Sequence, residues 1–236
     1  MKYVLVLPET FPFWQTFIEL RRGIGERLKQ EGHDVEYYDK LNPAIPLSQQ
    51  ILFGSNNCPD SDFKPGCIVY QSESSNSYWL QRQSYIDRLA QASEIWGWDT
   101  HAPYPFDADD LTHTPKIPGR VVHFGFLSPR RTKACLEVGA VPVCHLWGEE
   151  RNRILDSAEL VIELLYEDDW DRCSLRMLNG ASRGLMVLSE CDAPERRLLP
   201  GAVKEQVAAC LAMSPAEKLK WRMDQRQYVI DWLKVR

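Results

Sequence analysis

The feature that most constrains this chain is an alternation of short apolar runs with amphipathic stretches, which occurs twice. In the first half, the apolar run Tyr3–Leu7 is followed by a helical pattern over residues 14–31 and by a second run over residues 33–38. The pattern restarts at Val121–Phe126, and a helix is expected over Pro129–Glu137. Strands that alternate with helices favour a parallel sheet with helices on both faces. The sequence therefore predicts an α/β chain with two doubly wound, parallel-sheet domains.

A proline-rich segment separates the two halves. Residues 101–118 contain four prolines, and proline forces the preceding residue out of the helical region, which favours an extended connection. We expect a first domain over residues 1–117 and a second domain over residues 118–214, and the resemblance described below makes the first the acceptor-side domain. Residues 215–236 are predicted to form a C-terminal helix that crosses back onto the first domain. The connecting segment is expected to act as a hinge between the two domains.

Composition excludes several classes of protein. Hydrophobic residues make up 44% of the chain and aromatic residues 11%, which is enough for a sizeable core and argues against disorder. No apolar run approaches the roughly 18–20 residues of a membrane span, and the N-terminal run is too short for a signal peptide. The seven cysteines form no C-x-x-C pair, which favours reduced thiols in a cytoplasmic protein. A net charge of −5 argues against a generally basic protein that coats nucleic acid.

A candidate phosphate site follows the first strand of the second half. Ser128 can cap the next helix and Pro129 can be its first residue, so N–H groups at the helix start would face the edge of the sheet. Arg130 and Arg131 lie in this first turn, where they oppose the helix dipole unless an anion binds in front of them. The alternative is two solvated arginines that pair with nearby acids.

Common nucleotide-binding and hydrolase motifs do not occur in the sequence. It has no G-x-G-x-x-G and no G-x-x-x-x-G-K-[ST] pattern, which argues against a nicotinamide dehydrogenase and a P-loop NTPase. It also has no G-x-S-x-G pattern, which argues against an α/β-hydrolase.

A second candidate cluster follows the expected strand Leu160–Leu165. Tyr166 is followed by acids at positions 167, 168, 169 and 171, and then by a helix that carries Arg176 and Asn179. Ligands bind at the carboxyl edge of open α/β sheets, where this cluster is expected to lie. The acids could bind a metal, act in acid/base catalysis or stabilise the helix start. No histidine flanks them, and we expect no metal centre.

Two further candidates follow expected strands, and two histidines lie within expected strands. Glu190 follows the run 185–189, where its carboxylate could accept hydroxyls of a ribose or a sugar, and Trp147 could stack on a base or a sugar. A solvated loop acid and half-buried packing are the respective alternatives. His123 and His145 lie within expected strands, and we predict buried imidazoles with satisfied hydrogen bonds.

The glycine, polar and charged residues of the second half follow one another in a defined order. They are Phe124, Gly125, Ser128, Arg130 and Arg131, then Gly139, Trp147 to Arg151, Ser157 and Ala158, then Tyr166, Glu167, Arg176, Gly184 and Val187 to Glu190. This order resembles the nucleotide-sugar domain of GT-B glycosyltransferases of the "glycosyl transferases group 1" type, which occur in bacteria and their phages. Tyr70–Glu73 and Ile95–Asp99 resemble the acceptor-side domain. Close relatives have an Asn and a His where this sequence has Ile162 and Leu164. The broader group often has a Glu at about the position of Asn179.

The resemblance implies two Rossmann-like domains that face a cleft and a reaction that moves a sugar from a UDP-sugar, or another nucleoside diphosphate sugar, to a hydroxyl acceptor. Arg130, Arg131 and Arg176 would neutralise the diphosphate leaving group, together with the helix start at Ser128. Further donor contacts are implied for Trp147, Tyr166, Asn179 and Glu190. Glu9 or Glu73 would take the proton of the acceptor, with Asp99 and His101 as weaker candidates.

The resemblance implies no cofactor and no metal beyond this donor. We expect a monomer or a dimer. Some compact phage relatives glycosylate hydroxymethylated DNA bases, so DNA is one candidate acceptor. A flipped base needs an aromatic side chain to insert and basic groups to bind phosphates. Candidates for these roles are Phe11, Phe13 and Trp14, and Arg21, Arg22, Arg82 and Arg88, although packing and a solvated helix face are the favoured interpretation. Two alternatives remain: a non-catalytic nucleotide-sugar-binding module and another nucleotide-sugar enzyme such as an epimerase.

Overall fold

The chain divides into two units between residues 104 and 105. This division falls inside the proline-rich segment that the sequence predicts as the connection, and the predicted boundary after residue 117 lies later in the same segment. The structure is a computed structural model, and it describes residues 1–11, 14–72, 78–97, 100, 115–146, 148–164, 175–199 and 201–234.

The first unit is built on a sheet of five parallel strands. The strands are β1 (Lys2–Val6), β2 (Asp34–Tyr38), β3 (Gln50–Leu52), β4 (Ile68–Gln71) and β5 (Glu94–Gly97), in the spatial order β2-β1-β3-β4-β5. Helix α1 (Ile18–Gln30) follows β1, and α2 (Gln83–Gln91) follows β4. The predicted strand–helix alternation is confirmed.

Strand β3 was not identified in the sequence because it is only three residues long and begins with a polar residue. Gln50 is fully buried, and its amide is satisfied within the adjoining loop. Its Nε2 donates to the Asn42 carbonyl at 2.9 Å and to the Ile45 carbonyl at 2.8 Å, and its Oε1 accepts from the Asn42 N–H at 2.8 Å. A buried amide with these partners costs little, so the strand tolerates it.

The second unit is built on a sheet of four parallel strands. They are β6 (Val121–Phe124), β7 (Val141–Val143), β8 (Leu160–Glu163) and β9 (Val187–Ser189), in the order β7-β6-β8-β9. The helices are α3 (Pro129–Val138), α4 (Gly148–Leu155), α5 (Leu175–Ser182), α6 (Val203–Ala212) and α7 (Pro215–Lys234). The two parallel-sheet units of the predicted fold class are therefore confirmed.

Both faces of the second sheet are buried, as expected for parallel strands. On one face, Ile162 and Leu188 pack in a cluster with residues of α3 and α6. On the other face, Val161 and Val187 pack with Leu155 of α4. Successive strand residues point to opposite faces of the sheet, which accounts for the two separate clusters.

Local capping signals place α3 and α7 where the sequence predicts them. The Ser128 hydroxyl accepts from the Arg131 N–H at 3.3 Å, and Gly139 ends α3 with a φ of 63°. The Ser214 N–H donates to the Glu217 carboxylate at 2.7 Å, which completes the predicted capping box of α7.

The described residues of α7 are grouped with the second unit, and its crossing onto the first unit stays a prediction. Across the described parts of the chain, no helix combines the length and the apolar character that a membrane span requires.

Candidate functional site

The carboxyl edge of the second sheet gathers charged side chains from two strands and two helices. Glu163 is the last residue of β8 and Glu190 follows β9, and the two are adjacent because the Glu190 N–H donates to the Glu163 carbonyl at 3.3 Å. Helix α3 brings Arg130 and Arg131 to this edge, and α5 brings Arg176. The edge is the place where open α/β sheets bind ligands.

Arg176 is held against the buried carboxylate of Glu163. Its Nη1 lies 3.4 Å from Glu163 Oε1. The Ser189 hydroxyl donates to Glu163 Oε2 at 2.7 Å. Glu163 is fully buried, whereas 25% of the Arg176 side chain stays exposed. The arginine can therefore reach a ligand at the surface, and the glutamate cannot.

Arg130 binds Glu190 through two parallel contacts. Nη1 donates to Oε2 at 3.1 Å, and Nη2 donates to Oε1. Glu190 is fully buried, and the Arg130 side chain is about one third exposed. The carboxylate is therefore not a solvated loop acid, which was the alternative that the sequence left open. A bidentate pair of this kind is both strong and geometrically specific.

Arg131 is a buried side chain that hydrogen-bonds to the segments that follow β6 and β8. It is almost fully buried, its Nε donates to the Leu164 carbonyl at 2.8 Å, and its Nη1 donates to the Phe126 carbonyl at 2.7 Å. Burial, and then the neighbouring Arg176, lower the pKa of Arg131 to about 10, so it is still charged at neutral pH. These hydrogen bonds give Arg131 a structural role, and its contact with a diphosphate stays a prediction.

His123 is a buried, neutral imidazole beside the arginines. Its Nδ1 lies 3.0 Å from the Ile162 carbonyl, and its Nε2 is buried without a hydrogen-bond partner. Desolvation, followed by the charge of Arg176, lowers the pKa of His123 to about 4. The predicted burial is confirmed, but only one ring nitrogen is satisfied.

The prediction for His145 is wrong. Strand β7 ends at Val143, and His145 is exposed with a φ of 57°. This left-handed backbone is rarely adopted by residues other than glycine, and it takes His145 out of the strand.

Asn179 lies one turn beyond Arg176 on α5. It is almost fully buried, and neither its Nδ2 nor its Oδ1 has a hydrogen-bond partner. Glu9 is exposed in the loop that follows β1, at the carboxyl edge of the first sheet. Four other predicted features, Glu73, Trp147, Tyr166 and the acids of residues 167–171, fall outside the described residues.

Two candidates for a DNA-facing surface make other contacts: Phe11 packs in the core, as the favoured interpretation predicts, whereas Arg88 is paired and mostly buried and does not lie on a solvated helix face. Phe11 is buried, and its ring lies so close to Gly54 that a Cβ there would come within 2.4 Å of it. Arg88 Nη1 donates to the Cys58 carbonyl at 2.8 Å, and Nη2 pairs with Asp60. Phe13 falls outside the described residues.

Glu163 belongs to the site and was not recognised in the sequence, and Gly125, which the resemblance includes, lies against Arg176. Gly125 has a φ of 122°, and a Cβ there would lie 2.7 Å from Arg176 Nε, so only glycine leaves room for the guanidinium. The available signal for Glu163 was a single carboxylate at the end of an otherwise apolar strand. A charge at that position is rarely buried unless it is paired.

The described side chains at this edge sum to a positive charge. Three arginines meet two glutamates there, and His123 is neutral. The edge also receives the positive end of α3. Within the described residues, no group of three or more His, Cys, Asp or Glu side chains could hold a metal ion. The arrangement is therefore suited to an anion with several oxygen atoms, such as a phosphate or diphosphate.

Two α/β units, each built on a parallel sheet, are the architecture of GT-B glycosyltransferases, and solved structures of that class match this chain. An α-glucosyltransferase (AGT) in complex with UDP matches with a TM-score of 0.58 and 8% identity, over 97% of this chain and 95% of that one. An α-glucosyltransferase in complex with UDP and a 13-mer DNA that contains an HMU base matches with a TM-score of 0.57 and 10% identity, over 97% and 94%.

A mutant of T4 phage BGT in complex with UDP-glucose matches with a TM-score of 0.53 and 11% identity, over 100% of this chain and 98% of that one. No family model matches the sequence, and no curated protein matches it. At these identities the likeness shows the fold. The predicted GT-B fold is therefore confirmed, and membership of the group 1 family stays a prediction.

Proposed function

We propose that this protein is a glycosyltransferase that moves a sugar from a nucleoside diphosphate sugar, most simply UDP-glucose, to a hydroxyl acceptor. The observation that carries the proposal is the pair of partly exposed guanidinium groups, Arg130 and Arg176, at the carboxyl edge of the second sheet. The fold match supports it, because the similar structures were solved with UDP or UDP-glucose.

The chemistry follows from where charge develops. When the bond between the sugar and the diphosphate breaks, negative charge grows on the leaving oxygen. Arg130 and Arg176, with the positive end of α3, would stabilise that charge in the transition state. Two guanidinium groups that are already held by Glu190 and Glu163 need little reorganisation when the charge appears.

The remaining roles are proposed on the resemblance. Trp147, Tyr166 and Asn179 would contact the donor. The unpaired, buried amide of Asn179 has hydrogen-bonding capacity to spare. Glu9 or Glu73 would accept the proton of the attacking hydroxyl, and the exposed loop position of Glu9 is compatible with that role.

For the acceptor, we propose a hydroxymethylated base in DNA. One of the similar structures holds a DNA with an HMU base, and another comes from a phage. A hydroxymethyl group on a base supplies the primary hydroxyl that the reaction needs, and an enzyme can reach it once the base leaves the stack.

The test is a transfer assay with defined DNA. The protein is incubated with UDP-glucose and a duplex that carries one hydroxymethyluracil or hydroxymethylcytosine, and UDP release and the gain of one hexose by the oligonucleotide are measured. The matched control is the same duplex with an unmodified base. A panel of UDP-, GDP-, ADP- and CDP-sugars identifies the donor. We expect turnover to persist in EDTA, since arginines supply the positive charge.

Three outcomes of this assay distinguish the proposed function from its alternatives. Hexose transfer to the modified duplex alone supports the full proposal. UDP release with a different hydroxyl acceptor keeps the glycosyltransferase and rejects DNA. Tight binding of a nucleotide sugar with no release by any acceptor would establish the non-catalytic binding module instead.

A further inference from the structure

We propose that Glu163 is a positioning residue that fixes the guanidinium of Arg176 for the diphosphate of the donor. The inference rests on the proposed function, and it assigns a role to a residue that cannot touch the substrate. Glu163 is fully buried at the end of β8, so any effect on the reaction must pass through the groups that it holds.

The first support is a hydrogen-bond relay that fixes the carboxylate. The Ser189 hydroxyl donates to Glu163 Oε2 at 2.7 Å, and the same hydroxyl oxygen accepts from the Cys191 N–H at 2.9 Å. Because the backbone holds Ser189 Oγ, its proton points at the glutamate. Oε1 then faces Arg176 Nη1 at 3.4 Å.

The second support is the wall on the other side of the arginine. At Gly125, a Cβ would lie 2.7 Å from Arg176 Nε and 2.9 Å from Nη2, which is closer than real carbon contacts. The guanidinium therefore packs against the Cα of Gly125 on one side and contacts Glu163 on the other. A free arginine side chain loses rotamer entropy when it binds a ligand, and a side chain that is already confined loses less in the binding step.

The third support is the charge balance. Arg131, Arg130 and Arg176 share one edge, and like charges repel. Burial lowers the pKa of Arg131 most and the charge of Arg176 lowers it further, while the charges of Glu163 and Glu190 oppose this change. A neutral residue at position 163 would leave Arg176 with a weaker partner and with the same repulsion, so the guanidinium would move toward solvent.

The experiment is a double-mutant cycle on UDP binding, read by calorimetry, with turnover measured alongside. Glu163→Gln keeps the size of the side chain and removes its charge. Glu163→Asp keeps the charge but shortens the side chain by one methylene, which moves the carboxylate away from Arg176. We expect each variant to bind UDP about tenfold more weakly, which corresponds to about 1.4 kcal/mol of binding free energy. In an Arg176→Ala background, neither should weaken it further, because the group through which Glu163 acts is absent.

The matched control is Glu190→Gln, which acts on Arg130. Its effect should persist in full in the Arg176→Ala background. Ser189→Ala is a milder second variant that loosens the carboxylate without removing it; we expect a loss of about threefold that also disappears with Arg176. Thermal unfolding without UDP confirms that each variant folds.

The outcomes separate the two claims. If the wild-type protein neither binds UDP nor releases it from a nucleotide sugar, the proposed function is wrong and the inference falls with it. If the wild-type protein is active but Glu163→Gln and Ser189→Ala bind UDP normally, only the inference is wrong. Equal losses with and without Arg176 would also overturn it, because Glu163 would then act on the fold in general.

Discussion

At the residue scale, burial decides what a carboxylate at the sheet edge can do. The sequence suggested that Glu190 accepts sugar or ribose hydroxyls, yet both of its oxygens face Arg130 and the group is fully buried. Removing one partner of a buried pair leaves an uncompensated charge, which is strongly destabilising. Glu190 and Glu163 therefore act first on arginines, and the arginines present the positive charge to the surface.

Arg176→Ala is the first prediction at this scale. We expect turnover of the nucleotide sugar to fall about 10²–10³-fold, because one donor aimed at a developing negative charge contributes about 2.7–4 kcal/mol to the transition state. Release of UDP from UDP-glucose is the measurement. Arg153→Ala is the control, since Arg153 is an exposed arginine in the last turn of α4. If the Arg176→Ala variant kept wild-type turnover, Arg176 would have no role in the reaction.

His123 predicts a pH dependence of stability. Its pKa is about 4 in the folded protein, against an ordinary value of 6.5. As the pH falls below about 6.5, the unfolded state binds the proton first, so stability is lost progressively down to about pH 4. The loss from this group between pH 7 and pH 5 is about 2 kcal/mol.

The measurement is urea unfolding of the wild-type protein and of His123→Leu at both pH values. The variant should lose about 2 kcal/mol less than the wild-type protein between pH 7 and pH 5. Equal losses in the two proteins would show that His123 is not held neutral by burial.

At the element scale, α7 supplies hydrogen-bond partners to β9, the outermost strand on one side of the second sheet. A strand edge exposes backbone groups that need partners. The amide of Gln225 supplies them: its Oε1 accepts from the Val187 N–H at 3.0 Å, and its Nε2 donates to the Val187 carbonyl and to Asp192 Oδ2, both at 2.6 Å. One side chain therefore satisfies both backbone groups of Val187 on the side of β9 that has no neighbouring strand in the described part of the chain.

Replacing Gln225 should destabilise the second unit. In Gln225→Ala, the Val187 backbone groups and the buried carboxylate of Asp192 each lose a partner, and we expect a loss of about 3 kcal/mol, since each unsatisfied buried group costs about 1–3 kcal/mol. Gln227→Ala is the matched control. Gln227 is an exposed glutamine of α7 that bonds Asp231 within the helix, and its loss should stay within about 0.5 kcal/mol.

Urea unfolding followed by circular dichroism compares the two variants. If they were equally stable, the hydrogen bonds of Gln225 would contribute nothing beyond those of a surface glutamine, and the edge of β9 would not depend on α7.

At the scale of the whole molecule, each unit has its own sheet and its own buried residues. The second unit buries apolar side chains on both faces of its sheet, and α7 is grouped with it. A domain with a separate core can in principle fold alone. The candidate anion site described above uses residues of this unit.

We therefore expect a fragment of residues 105–236 to fold and to bind UDP without the first unit. The measurements are a cooperative urea transition and calorimetric UDP binding, with the Arg176→Ala fragment as the control. Without the first unit, the fragment should not transfer sugar. A fragment that unfolds without a cooperative transition would show that the core of the second unit depends on the first.

Much of the fold follows from local signals. Ser128 with Pro129, and Ser214 with Glu217, mark helix starts because a capping side chain bonds to backbone only two or three residues away. The strands of the second half were predicted because each lies in a short, mainly apolar run. Strand β3 was missed because three residues give no periodicity and Gln50 hides its burial.

The sequence by itself determined the two α/β units, the capped helices that frame them and the presence of arginines near a strand end. Only the tertiary structure decided which side chains meet. Gly125, Glu163 and Arg176 belong to separate elements, and they come together because the parallel strands β6 and β8 end at the same edge where α5 begins. Local signals fix elements because their partners are neighbours along the chain. A binding site is fixed by register and by packing, which no single segment encodes.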